Sequence, residues 1–293
     1  MDRVIKKASK CINTHSITVK PKHKRIKNDR RREKRKAFEE KVEYCNWVDD
    51  AYLLMGKAHF YTHNFYAAIK SFRFIEEKYK NSSVKHEAML WLAKAYNQLG
   101  DFRAAEEYLN KLENDVDFPE KELGAELYLT HAEFFLKQGY YKKTIPQLEQ
   151  AIEKIRKKRK KARYIFILAQ INQKLDNPQK ASELYADVVK MNPPYEMAFN
   201  AKINRAVAHS GKNTGAIERE LKKMLKDDKN IEYQDQIYFG LANIYYKKGD
   251  TENAIKYYKK SVRASIDNVN QKAMSCLSLA DIYFDKTEYE TSA

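Results

Sequence analysis

Residues 56–72, GKAHFYTHNFYAAIKSF, and residues 93–109, AKAYNQLGDFRAAEEYL, are built to one plan. Each opens on a small residue and reaches a turn signal seven positions later. A second small residue follows at the twelfth position and a bulky one at the sixteenth. The small column continues as Gly56, Ala93, Ala132, Ala169, Ala242 and Ala280, at intervals of 37, 39, 37, 73 and 38. The turn column reads His63-Asn64-Phe65, Gly100-Asp101-Phe102, Gly139-Tyr140-Tyr141, Asp176-Asn177-Pro178, Gly249-Asp250-Thr251 and Thr287-Glu288-Tyr289. The second small column is Ala68, Ala105, Thr144, Ala181 and Ala254, and the bulky one Phe72, Leu109, Leu148, Tyr185 and Tyr258. The interval of 73 holds two units, one of them degenerate: YEMAFNAKINRAVAHSGKNTGAIERELKKML.

This is the helix–turn–helix pattern of the tetratricopeptide repeat (TPR), in which small residues let paired helices approach and bulky ones fill the gap to the next unit. Such units cannot bury a face alone and stack into a solenoid. The expected fold is all-α, a TPR α-solenoid superhelix of about seven helix–turn–helix units. They lie near 49–82, 86–118, 125–158, 162–194, 197–228 and 235–266, with an incomplete one at 273–293. In VVKMNPPYEMAFNAKIN, Pro193 cannot continue a helix and Pro194 holds it extended. The pair therefore punctuates the boundary between the fourth and fifth units. In the last unit, Leu277, Leu279, Ile282 and Tyr283 are expected in part to face a missing second helix, leaving the end frayed.

Composition agrees with the repeat. Eight glycines and six prolines in 293 residues are too few for a sheet-rich fold, and 43% hydrophobic content supports a core. No run of 18 apolar residues occurs to span a membrane, and no apolar stretch follows the charged N-terminus as in a signal peptide. The net charge of +16 is uneven. Residues 1–36 hold 15 Lys and Arg against Asp2, Asp29 and Glu33, whereas the other 257 residues hold 41 basic against 37 acidic. Residues 1–40 therefore read as a basic, largely disordered arm. Cys11, Cys45 and Cys276 form neither a disulfide framework nor a metal-ligand spacing.

Candidate chemistry is sparse. His59 and His63 in HFYTH stand at i and i+4, but Phe60 replaces the glutamate of a zinc-protease helix. SGKNTG at 210–215 lacks the glycine and the hydroxyl of a phosphate loop, having Ala206 and Asn213 there instead. Glu76-Glu77 and Glu106-Glu107 are indistinguishable from solvated helix faces. No nucleophile motif is present, so no enzyme, cofactor, metal or small-molecule substrate is expected. Two basic runs, the arm and KIRKKRKKAR at 154–163, are candidates for polyanions, yet no aromatic residues interleave them for base stacking.

The first helices of the units are expected to line a concave face, offering Leu53, Lys57, Phe60 and Tyr61, then Leu90, Lys94, Asn97 and Gln98. Glu133 and Lys137 follow, then Phe166, Gln170 and Lys174, and finally Phe239, Asn243, Tyr246 and Lys247. Aromatic, amide and lysine side chains together suit a peptide of a partner protein. A chaperone-type carboxylate clamp is absent, because Trp91 interrupts its pattern.

Longer strings are more specific. EYCNWVDDAYLLMGKAHFYTHNFYAAIKSFRFI, AMLWLAKAYNQLGDFRAAEEYL, ARYIFILAQINQKL and YADVVKMNPPYEMAFNAKINRA together resemble the TPR lipoprotein of Bacteroidetes type IX secretion and gliding motility, the SprE/PorW family. That resemblance implies a periplasmic, outer-membrane-associated scaffold that holds proteins of the secretion and motility machine together. Cys11 follows KKAS without an apolar run, so the family lipid anchor is not expected there, and the chain reads as an internal or truncated segment. A chain truncated as given would stay cytoplasmic. The alternatives are nucleic-acid or polyanion binding through the arm, or a generic TPR adaptor or co-chaperone.

Overall fold

A computed structural model describes residues 1–19, 43–209, 214–287 and 291, and among these the chain holds 14 α-helices, one 3₁₀ turn and no strand. It divides into two compact units, residues 1–154 and 155–293. The first contains α1 (Asp2–His15) and three helix pairs: α2 (Val48–Tyr61) with α3 (Phe65–Lys78), α4 (Lys85–Leu99) with α5 (Phe102–Glu113), and α6 (Glu120–Lys137) with α7 (Tyr141–Lys154). The second contains α8 (Lys158–Lys174) with α9 (Pro178–Lys190), α10 (Tyr195–Ala208) with the short α11 (Gly215–Met224), and α12 (Gln234–Lys247) with α13 (Thr251–Ala264). A 3₁₀ turn (Asp228–Tyr233) precedes α12, and α14 (Val269–Asp285) follows α13.

The turn column explains the hairpins. His63, Gly100, Gly139, Asp176, Gly249 and Thr287, each seven residues after its small partner, all adopt the left-handed conformation, with φ between 57° and 80°. The following residue then caps the second helix where its side chain allows. Asn64, Asp101 and Asp250 accept the amides of Ala67, Ala104 and Asn253. One residue thus ends a helix and the next begins its partner.

Close approach then follows from the small columns. A Cβ on Gly56 would stand 2.4 Å from the Phe72 ring, and Ala68 and Phe72 are fully buried. The first unit's core joins these to Leu90, Leu92, Ala93, Leu109 and Leu112. Burying each such large side chain contributes about 1.5–3 kcal/mol. In the second unit Phe199, Ile203, Ile217, Leu221, Ile237 and Leu241 form one cluster. Phe239, Ala242, Ala254, Tyr258 and Ile282 form another. At the proline boundary Asn192 is left-handed (φ 51°), Pro193 is buried and Pro194 sits at the N-cap of α10, so the pair does separate two helix pairs.

Two expectations are corrected. The basic arm is not disordered throughout: residues 2–15 form α1, which packs on α2 as the second helix of a preceding pair would. Val4, Ile5, Ala8, Cys11 and Ile12 recur at helical spacing between the lysines and are its less exposed residues, with Ala8 fully buried. Ser9 Oγ lies 3.6 Å from Met55 Sδ. Buried Glu43 accepts the Ser16 hydroxyl at 2.5 Å, the Ile17 amide at 2.7 Å and the Cys45 amide at 2.8 Å. The remainder of the arm, 20–42, lies outside the described residues. In α14, Ile282 and Tyr283 are buried rather than waiting for a second helix, because Ile282 falls back onto Phe239, Ala242 and Tyr258 of the preceding pair. Leu279 packs there in part, and Leu277 alone of the four faces outward, 66% exposed.

Candidate functional site

Three first helices, α2, α4 and α6, stand side by side in the first unit and are tied by a regular ladder. Lys57 Nζ reaches Glu87 Oε1 at 2.6 Å, and Lys94 Nζ reaches Glu126 Oε2 at 3.0 Å. Gln98 Nε2 donates to Glu133 Oε1 at 2.6 Å. Lys137 Nζ returns to Gln98 Oε1 at 2.8 Å and to the Asn97 carbonyl at 3.3 Å. Part-exposed pairs of this kind contribute only about 0–1 kcal/mol each. Their effect here is to hold the lysines in place and cancel their charge.

Trp91 occupies the space between the first two rungs. Its ring meets Phe60 edge-on at 5.1 Å and Tyr61 edge-on at 5.7 Å, and lies nearly parallel to Phe72 at 6.1 Å. Lys94 Nζ stands 4.7 Å and Lys57 Nζ 5.7 Å from the ring centroid, a cation–π arrangement at both ends. The indole N–H points to Glu87 Oε1 at 3.5 Å. Tyr61 remains 57% exposed. The result is an aromatic shelf between two neutralised ion pairs, suited to an apolar or aromatic side chain. An acidic ligand would have to displace Glu87 or Glu126.

The expected groove residues therefore divide. Lys57, Phe60, Tyr61, Lys94 and Gln98 come together, with Lys137 alongside. Asn97 does not join them: it is 1% exposed and neither amide atom has a partner in the described residues. Leu53, Leu90 and Phe239 are likewise buried, because their positions turn toward the partner helices. In the second unit Gln170 and Lys174 lie exposed on α8, and Tyr246 is 44% exposed on α12. Asn243 spends its amide on the Phe239 carbonyl at 2.9 Å. Lys247 donates to the Val207 carbonyl, and desolvation pulls its pKa below the ordinary lysine value. These five form no shelf like that of Trp91. Sequence reasoning placed Glu133 on this face but missed Glu87 and Glu126, and it weighed Trp91 only as a break in the clamp pattern. Trp91 lies four residues after Glu87 and three before Lys94, which places all three on one helix face.

Other candidates carry less. His63 is the left-handed turn residue and sits edge-on to Phe65. Among the described residues no group of three or more His, Cys, Asp or Glu side chains is placed to hold a metal, and no helix is long and apolar enough to cross a membrane. Residues 210–213 of the SGKNTG stretch lie outside the described residues. A cleft of about 570 Å³ between α9 and α10 is lined by both charges, among them Glu183, Asp187, Lys190 and Arg205. There Ser182 Oγ and His209 Nδ1 are 3.4 Å apart, longer than a nucleophile–base pair requires.

Comparison with known proteins agrees with this architecture. Family models described as tetratricopeptide repeats match residues 53–117, 162–195 and 235–265. Those stretches are thus tetratricopeptide repeats, and the all-helical fold is that of a tetratricopeptide-repeat solenoid. The chain is similar to a solved tetratricopeptide repeat protein of Parabacteroides merdae at 13% identity and a TM-score of 0.54, over 83% of this chain and 89% of that one. It is also similar to apo RapI at 15% identity and a TM-score of 0.51, over 83% and 93%. At these identities the likeness is one of fold. No protein of curated function matches the sequence.

Proposed function

We propose that this chain is a non-catalytic scaffold that binds a segment of a partner protein on the shelf formed by Phe60, Tyr61 and Trp91. The observation that carries this is Tyr61. It is an aromatic ring 57% open to solvent, backed by Trp91, which is itself fixed by two lysines and a glutamate. Aromatic anchors of this kind dominate the energetics of protein interfaces, and tetratricopeptide repeats as a class present such surfaces. The ladder supplies a polar rim whose groups are already paired.

We propose further, from the resemblance of its longer strings, that the partners belong to the type IX secretion and gliding machinery and that the protein works in the periplasm beside the outer membrane. A photo-crosslinking residue placed at Tyr61 should capture a partner from the cell envelope, whereas one placed at Tyr66, 77% exposed on α3, should not. Capture from Tyr66 with none from Tyr61 would reject the shelf. Loss of secretion and gliding in a strain lacking the protein, restored by the native chain, tests the assignment to that machine.

A further inference from the structure

The second unit carries a surface of its own. Between Glu153 and Asp176 the chain has no acidic residue, while residues 156–163 contribute seven Lys and Arg in eight positions. Arg156, Lys157, Lys158, Arg159 and Arg163 are exposed, and none lies within ion-pair distance of an acid among the described residues. Some exposed cations elsewhere are matched within their own helix: Lys111 pairs with Glu107, Lys190 with Asp187 and Lys222 with Glu218, each one helical turn away. Local stability does not account for the run either. The helix α8 begins inside it with no side-chain cap and no acid in its first turn, so these charges oppose the helix dipole. Arg159 and Arg163 share one stripe at i and i+4, with Lys158 beside them.

We infer that residues 156–163 form a docking surface for an acidic segment of a partner protein. Two observations choose that occupant over a nucleic acid. The run holds no aromatic ring on which a base could stack, and its one nonpolar residue, Ala162, is buried, as is the adjoining Ile155. It is also an island: residues 164–293 hold 19 Lys and Arg against 17 Asp and Glu, so no basic track continues along which a phosphate backbone could run. Burial of Ile155 and Ala162 leaves no apolar side chain to enter a membrane either. A short stretch of carboxylates fits the island, with the two arginines able to grip them in bidentate fashion.

The test measures binding of a fluorescent peptide of alternating Glu and Asp to the full chain by anisotropy, at low and raised salt. The variant R156E/K158E/R159E/R163E should lose at least about tenfold in affinity and much of the salt dependence. K180E/K226E/K256E/K272E makes the same change of net charge at other exposed sites, and should lose less than about threefold. Equal losses in both variants, or none in the first, would overturn the proposal. It would also fall if a short duplex DNA or anionic lipid vesicles bound more tightly than the peptide and showed the same dependence on the first variant. Tyr61→Ala should leave peptide affinity unchanged, so that failure of the shelf and failure of this surface read out separately.

Discussion

The backbone of Gly56 and the ring of Phe72 leave no room between them for a methyl group: an added Cβ would approach Cε1 to 2.4 Å. The equivalent pairs are Ala93 with Leu109 and Ala132 with Leu148, where a smaller aliphatic side chain permits the methyl. Gly56→Ala should therefore destabilise the first unit by about 1–3 kcal/mol through overpacking. Adding Phe72→Leu should recover much of that loss, and denaturant melts of the two variants check it. A fully stable G56A single variant would show that the contact is relieved elsewhere.

The turn column makes a second prediction. Gly100, Gly139 and Gly249 are left-handed with nothing within 4 Å of an added Cβ, so Gly139→Ala should cost only the backbone penalty, about 1–2 kcal/mol. His63→Gly and Asp176→Gly, at φ of 58° and 57°, should be neutral or raise the melting temperature. Destabilisation by the glycine substitutions would mean that their side chains make contacts worth more than the strain.

A third concerns acid. Burial pushes the Glu218 carboxyl up, but hydrogen bonds from Lys222, Lys248 and Tyr245 outweigh it and hold the pKa at about 2. A carboxylate with a depressed folded pKa stabilises above its unfolded pKa and loses that contribution as pH falls. Glu218→Gln should lower the melting temperature at neutral pH, with the difference from the native chain closing between about pH 4.5 and about pH 2. A difference that stays constant across this window would show that charge is not its source.

Asn97 supplies a fourth. A buried amide with no partner costs more than an apolar side chain of like size, so Asn97→Leu should raise the stability of the first unit or leave it unchanged. Capture from Tyr61 should survive the change, since Asn97 is not on the open face. A fall in melting temperature would point to a buried water that the amide satisfies.

Much of this architecture was legible in the chain because the columns are local. Three of the six left-handed residues in the turn column are glycines, and the His, Asp and Thr in that column follow from the spacing. The Trp91 shelf was harder to read, since its partners lie about one repeat away and acids are plentiful on every helix. Nothing in sequence says that Glu87 meets Lys57 rather than Lys94. Helix α1 was hidden by its own lysines, which mask a five-residue apolar stripe. The burial of Asn97 is a tertiary effect of α6 lying over α4, as Phe60 and Leu136 at the equivalent position are only partly covered.

The ladder between first helices also has a direction. In its first two rungs the earlier helix supplies the lysine and the later one the glutamate: Lys57 to Glu87, then Lys94 to Glu126. The second helix pair consequently carries an acceptor, Glu87, on its leading side and a donor, Lys94, on its trailing side. Such a unit is complementary to a copy of itself placed head to tail. Copying residues 85–123 in tandem, one full period with its linker, would set Lys94 of the first copy opposite the second copy's equivalent of Glu87. An array with this polarity can lengthen by duplication without leaving a charge unmatched at the new joint.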